Sequence, residues 1–378
     1  MNIIIAPDSF KESLDAKDVS IAIKKGVKKI YPQSKIQLVP ISDGGEGALD
    51  IIVNSKLGEY IYSKSFDPLM REINSKYVLF NDKKTAWIEL SKSSGISLLK
   101  NNEKNPKLTT TYGTGILIKN AIERGCDKII VGLGGSATND GGTGILSALG
   151  FKFFDDKKKL LENGGGYLKQ LKKIENTTKL DLKKIKFELA CDVENRLLGK
   201  NGASHLYSPQ KGAKNLVDID ILEDGLKNLS KIIKQKYKVD VSKVIGGGAA
   251  GGCGAGLYGI LNATISSGFS LLSKIVELEK KIKCSDLVIT GEGKIDSQSF
   301  YGKVPFQVAK IANKYNIPVI CLSGSIDRKL KKFEDIGFSG LFSIQNEPIS
   351  LKKSITKSKF LIENSTERIL SFYKSVTK

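Results

Sequence analysis

One histidine in 378 residues, His205, excludes a histidine metal cluster and leaves base catalysis mainly to carboxylates. Five cysteines (Cys126, Cys191, Cys253, Cys284, Cys321) are odd in number, far apart and without a CxxC pair. They imply reduced thiols in a cytoplasmic protein, against a disulfide framework or a zinc site. GxxxxGK[ST] is absent, which excludes a P-loop enzyme, and the absence of HRD and DFG excludes a protein kinase. A strand-like "NIIIAP" begins at Asn2, leaving no room for a signal peptide. One stretch, Val244–Ser273, carries no charge, but nine of its residues are glycine. It reads as a buried glycine-rich loop and helix rather than a membrane span.

Lysine, by contrast, is abundant. Lys+Arg 60 against Asp+Glu 40 gives a net charge of +20. The lysines are scattered in ones, twos and threes, with no basic block and no interleaved aromatics, so they read as solvated helix faces. Neither a nucleic-acid nor a membrane partner is expected. An apolar fraction of 40% suffices for a proper core, and the length suggests two domains.

Both chain ends alternate strand and helix. "NIIIAP" and "KIQLVPI" (Lys35–Ile41) are strands, separated by an amphipathic helix near Ala16–Ile30 with Ser13 or Asp15 as its cap. Near the other end "DLVITGEG", "PVICLSG" and "GLFSI" repeat the pattern, with a helix beginning at "VPFQ". The middle is different in texture: "KYVLFNDKKTAWIEL" reads as a hairpin turning at Asn81–Lys84, followed by glycine loops and mixed strands. This predicts an α/β chain in which one parallel-sheet domain, residues 1–66 and 285–378, is interrupted by a mixed α/β domain, residues 67–284.

The loops after the strands of a parallel sheet share one edge, where ligands bind. Three of them combine acids with lysine or glycine: "PDSFK" (Asp8, Lys11), "SDGGEG" (Asp43, Glu46) and "GEGKIDSQSFYGK" (Glu292, Lys294, Asp296, Lys303). Converging carboxylates repel unless a cation sits among them, so Asp43, Glu46, Glu292 and Asp296 are the candidate Mg²⁺ ligands. A fourth loop, "VGLGGSATNDGG" (Val131–Gly142), has five glycines between strand and helix but no lysine. Its amides at Gly134 and Gly135 and the Ser136 hydroxyl suit an anion, with Asn139 and Asp140 orienting the turn and capping the helix. Its positive charge must come from Mg²⁺ and from lysines elsewhere, which makes a Mg-nucleotide the expected ligand. Lys303, just before a Pro-initiated helix, is one such lysine.

Motifs along the chain resemble those of bacterial glycerate kinases of the glycerate 2-kinase type. They include "APDSFKESLDA", "ISDGGEGALD", "TTTYGTGILI", "GLGGSATNDGGTGILSALG", "SPQKGA", "GGGAAGGCGAGL" and "VITGEGKIDSQS" followed by "GKVP". The likeness runs from Asn2 to about Gly324. It implies ATP- and Mg²⁺-dependent phosphorylation of D-glycerate to 2-phosphoglycerate, in a cleft between a flavodoxin-like domain from both chain ends and the inserted domain. Departures are modest: Glu12 and Met70 stand at usual glycines, Ser42 at a usual alanine, Arg196 at a usual proline and Ser299 at a usual threonine.

With that implied chemistry, Arg71 of "DPLMR" is the candidate clamp for the substrate carboxylate, together with Asp8, Ser9, Ser136 and Asn139. Asp192 and Asp296 are candidates for metal binding and for accepting the hydroxyl proton, two tasks that sequence does not separate. Lys11, Lys211 and Lys303, with Gly134, Gly135, Gly291 and Gly293, would hold phosphates or the transferring group. Phosphorylation at the 3-position remains open. A Mg-dependent phosphohydrolase also fits the bare chemistry, although "APDSF" lacks the second acid of an aspartyl-phosphate DxD.

Overall fold

The computed structural model describes residues 1–296, 303–327 and 337–377. The chain forms two compact units, Met1–Asp43 with Phe269–Lys378, and Gly44–Gly268.

The first unit is built on a five-stranded parallel sheet of Asn2–Ile5, Lys35–Leu38, Leu287–Ile295, Val319–Ile326 and Gly340–Ser343. Numbered in chain order within this sheet, the strands lie 2-1-3-4-5, the flavodoxin-like order expected from the resemblance. Ile3, Ile4 and Ile5 are all buried, because the first strand lies inside the sheet, with Ile3 opposite both Leu287 and Ile36. Helix Ala16–Ile30 starts where Asp15 accepts a hydrogen bond from the Asp18 amide at 2.7 Å. It buries Val19, Ile23 and Val27 on one face. Leu361, Ile362 and Leu370 of the C-terminal helix Ser358–Val376 join the same core.

The second unit carries a six-stranded sheet in the order Thr264–Ser266, Lys186–Ala190, Lys128–Gly132, Thr85–Glu89, Glu72–Phe80, Gly58–Phe66. The first four strands are parallel, and the last two close the edge as antiparallel neighbours. The expected hairpin is present, with Val78 paired to Trp87. Tyr77, Ile88, Leu117, Ile129, Val131 and Leu189 anchor its main core.

The junctions fall at 43/44 and 268/269, where the sequence reading put them near 66 and 284. Two contacts explain the difference. Gly58–Phe66 pairs along its whole length with Glu72–Phe80, so it belongs to the inserted sheet. Helix Leu278–Lys283 is tied into the first unit through Glu279, which accepts from Lys314 at 3.0 Å and from the Tyr315 hydroxyl at 3.1 Å.

Among the described residues no helix is long and apolar enough to cross a membrane. The uncharged stretch from Val244 instead forms a turn and helix Ala249–Leu261, kinked where Ala250, Gly251 and Gly252 are left-handed. It lies hard against the glycine loop. A Cβ on Gly256 would stand 1.9 Å from the Gly141 carbonyl oxygen, backbone against backbone. Gly256→Ala should therefore destabilise the inserted unit by about 3 kcal/mol. Urea denaturation checks this; a loss below about 1 kcal/mol, within the usual range for tolerated core swaps, would show that the approach is not rigid.

Candidate functional site

The glycine loop of the inserted unit follows strand Lys128–Gly132 and leads into helix Thr143–Ala148. Only Gly134 and Gly135 lie open; the chain is buried from Ser136 through Thr143. Asp140 shapes the loop from inside. Its carboxylate accepts from the Thr111 amide (2.8 Å) and hydroxyl (2.9 Å), the Gly142 amide (3.1 Å), the Gly144 amide (3.2 Å) and the Thr110 hydroxyl (3.3 Å). Burial pushes its pKa up, and the hydrogen bonds from Thr111, Gly142 and Gly144 oppose that. Asp140 thus orients the turn and caps the helix, while Asn139 donates to the Ser204 hydroxyl at 3.2 Å.

The loop's positive charge lies beneath it. Lys211, in the short turn Pro209–Lys211, is 3% exposed and donates to Ser136 Oγ at 2.7 Å and to the Thr138 carbonyl at 2.8 Å. Burial lowers its pKa to about 7, against the opposing pull of Asp140 and Cys253. Lys211, a candidate to hold phosphate, has its Nζ enclosed and in contact with the loop.

Glu46 sits at the open end. A Cβ on Gly135 would stand 2.1 Å from Glu46 Oε1, and one on Gly134 would stand 2.6 Å from Gly45 Cα. Both glycines are needed for this approach of the Gly45–Glu46 segment, which puts a carboxylate beside Gly135. Glu89 is a further acid at this sheet edge that the sequence reading missed. It is fully buried at the end of strand Thr85–Glu89, in register with Gly132. Its Oε1 accepts from the Leu49 amide at 3.1 Å, and Lys92 lies 3.4 Å from Oε2. Burial raises its pKa, with Lys92 opposing. The signal available in sequence was an acid closing the apolar run "TAWIE".

Arg71 is already engaged. Its Nε donates to Asp67, and its Nη1 and Nη2 donate to Glu103 at 2.7 and 3.5 Å. Glu103 and Asp67 raise its pKa, and a substrate carboxylate would have to compete with Glu103. Met70, at the usual glycine position, adopts φ +64° in the same turn. Asp192 is half-buried, two residues beyond strand Lys186–Ala190.

The other unit gathers its own set. Strand order 2-1-3-4-5 puts a topological switch point between Asn2–Ile5 and Leu287–Ile295, where such sheets bind ligands. Asp8 and Gly291 flank it, the Asp8 amide donating to the Gly291 carbonyl at 2.9 Å. The Ser9 amide donates to Asp8 Oδ1 at 2.6 Å. Burial raises the Asp8 pKa to about 7, and the charges of Asp43 and Glu292 add to this, while the Ser9 amide and Lys11 oppose it. Gly293 lies beside Phe10 and Lys11, where a Cβ would make ordinary contacts of 3.4 Å with both backbones. Lys303, the residue before helix Val304–Asn313, stands 3.8 Å from Glu292 and 3.7 Å from Asp296, and Lys294 stands 3.5 Å from Asp296. Residues 297–302 of this third loop, Ser299 included, lie outside the described residues.

The four expected metal ligands therefore divide between the units: Asp43, Glu292 and Asp296 in one, Glu46 in the other. Among the described residues no group of three or more His, Cys, Asp or Glu is arranged to hold a metal ion. The carboxylates present suit Mg²⁺ as this ion is usually bound, by one or two acids plus substrate phosphates and water, rather than by an all-protein cage.

Comparison with known proteins adds a family. The model described as "Glycerate kinase family" matches residues 3–374. The chain is 40% identical to a glycerate kinase of Bacillus cereus, over 99% of this chain and 98% of that one. It is 42% identical to a glycerate 2-kinase of Escherichia coli K12, over 91% of this chain and 90% of that one. A crystal structure from Salmonella typhimurium LT2, assigned as glycerate kinase 2, superposes with a TM-score of 0.86 at 38% identity. The match covers all of this chain and 99% of that one.

Asp8 generates a prediction about pH. Its ordinary pKa of 3.8 rises to about 7 on folding. Between those values the unfolded chain binds fewer protons, so this group's contribution to stability falls as pH rises. Asp8→Asn removes the cost and should stabilise the protein at pH 8 by up to about 4 kcal/mol. The gain should fade toward pH 4, as denaturation at the two pH values would show. A variant no more stable at pH 8 would mean that the fold compensates the Asp8 charge.

Proposed function

The chain belongs to the glycerate kinase family, and we propose that it transfers the γ-phosphoryl group of ATP to the 2-hydroxyl of D-glycerate, giving 2-phosphoglycerate and ADP. The observation that carries this reading is the glycine loop at Gly134–Ser136, backed by the buried Lys211 and faced by Glu46. Amides and a cation suit phosphate oxygens, and the adjacent carboxylate repels an anion unless a divalent cation lies between them. Mg²⁺, when bound, would neutralise charge on the transferring phosphoryl group; its candidate ligands are Glu46 in the inserted unit and Asp43, Glu292 and Asp296 in the other, one or two acids sufficing beside phosphates and water. A hydroxyl acceptor needs a base, and Asp8, held near 7, is matched to that task at neutral pH. Asp296 is paired with Lys294 and Lys303, which suits it to charge placement; Asp192 remains a candidate for either task.

For Arg71 the reading is narrower. The occupied guanidinium supports a role in shaping the 67–71 turn, with the substrate carboxylate held by the Ser9 or Ser136 side. The named activity of the Escherichia coli relative favours the 2-position over the 3-position. The spaced, unbridged cysteines support a cytoplasmic location.

Purified protein with Mg-ATP should release ADP only when D-glycerate is added, and phosphorus NMR of the product should show 2-phosphoglycerate. ADP release independent of glycerate would point to the phosphohydrolase reading. Asp296→Asn should keep the fold and lower kcat by about a hundredfold or more; near-normal turnover would remove Asp296 from the catalytic set.

A further inference from the structure

Among the described residues Lys211 is the one lysine or arginine that is buried. Enclosing an ammonium is costly unless it is paired or put to use. Its side-chain partners are both on the glycine loop: Ser136 Oγ and the Thr138 carbonyl. The turn that carries it is itself fixed. The Lys211 amide donates to the Ser208 carbonyl at 3.0 Å, and Gly212, at φ +103°, lies so close to Lys104 that a Cβ would stand 2.1 Å from its carbonyl oxygen.

Lys211 Nζ donates to Ser136 Oγ and to the Thr138 carbonyl, so in the Lys211–Ser136 bond the serine oxygen is the acceptor. The serine's own hydrogen is then left to point away from the lysine. Ser136 directly follows Gly134 and Gly135, the open part of the loop.

A second, independent observation marks the place. Thr138 Oγ1, Asn139 Oδ1 and Ser208 Oγ are buried polar atoms without a hydrogen-bond partner. Each belongs to a residue in the loop or to one bonded to the Lys211 turn. Unpaired buried polar atoms oppose stability, and these three belong to the loop that Lys211 touches and to the residue that anchors its turn, which argues for a purpose other than packing.

We propose that Lys211 is a positioning residue that charges the glycine loop from beneath. Ser136 accepts from Lys211 and donates its own hydrogen to a phosphate-type oxyanion lying on Gly134–Ser136, and Lys211 itself never touches the ligand. The source of that oxyanion, ATP or the glycerate compound, rests on the kinase reading; the relay does not.

The test uses the full chain and four variants: Ser136→Ala, Ser136→Thr, Lys211→Met and the double variant Ser136→Ala/Lys211→Met. Calorimetric titration with inorganic phosphate and with tripolyphosphate measures the site without any turnover. Ser136→Ala and Lys211→Met should each weaken binding by about tenfold or more, as expected for loss of a charge-assisted hydrogen bond. The double variant should bind no more weakly than Lys211→Met, because the two residues act as one unit. Ser136→Thr keeps the hydroxyl and should retain affinity within a few-fold. The KM values for ATP and for D-glycerate then identify the source: only the substrate that supplies the oxyanion should show the increase.

Binding by Ser136→Ala within twofold of the parent, multiplying losses in the double variant, or no phosphate binding by the parent would each overturn the proposal. Should Lys211→Met fail to fold, the contrast between Ser136→Ala and Ser136→Thr still decides. Should the parent bind phosphates in this pattern yet phosphorylate no glycerate, the kinase reading fails and the relay stands.

Discussion

The carboxylate of Asp140, wholly enclosed, is the fixed point of the inserted unit. Five donors converge on it, from Thr110, Thr111, Gly142 and Gly144. An unpaired buried carboxylate would cost several kcal/mol, so those donors must be held where they are. They join two segments distant in sequence, "TTTYG" and the end of the glycine loop. Lys211 adds a second buried charge nearby, and its proton balance is set by burial against the pull of Asp140. The shape of the loop surface follows from these hidden groups.

Glycine makes that construction possible. Gly251 and Gly256 bring the kinked helix onto the loop from one side, a Cβ on Gly251 being 2.1 Å from the Thr138 carbonyl oxygen. Gly134 and Gly135 admit the "GGEG" segment, and with it Glu46. The loop is thereby held between two backbones, which suits a site whose amides must be in place before an anion arrives. The other unit uses different means. Its acids sit at the switch point of a flavodoxin-like sheet, balanced by Lys294 and Lys303, and burial raises the pKa of Asp8 to about 7.

Local features were legible in the sequence. The Ile3–Ile5 run marks an inner strand, Asp15 the start of its helix, and "NDKK" a hairpin turn. The glycine loop was visible as an anion site lacking charge, and its lysine lay 75 residues further on, in a segment with no periodic link to it. Across that distance the sequence marks Lys211 as a candidate phosphate ligand but does not place it underneath Ser136. Nothing in "DPLMR" announces that Glu103 occupies the fork of Arg71, the candidate carboxylate clamp. Glu89 escaped notice as one acid at the end of an apolar strand. The junction near 66 was misplaced because "GEYIYSKSF" is half polar, an edge strand whose pairing only its partner reveals.

The central claim is that the glycine loop of the inserted unit holds an oxyanion through Ser136, with its charge supplied from below. The most direct measurement is a crystal structure of the protein with Mg²⁺, a non-hydrolysable ATP analogue and D-glycerate all bound. The account predicts one phosphate or carboxylate oxygen within about 3 Å of Ser136 Oγ, with Lys211 still enclosed and still donating to Ser136 Oγ. Fully ordered ligands that leave Ser136 uncontacted, or a Lys211 side chain swung out to grasp phosphate itself, would contradict it.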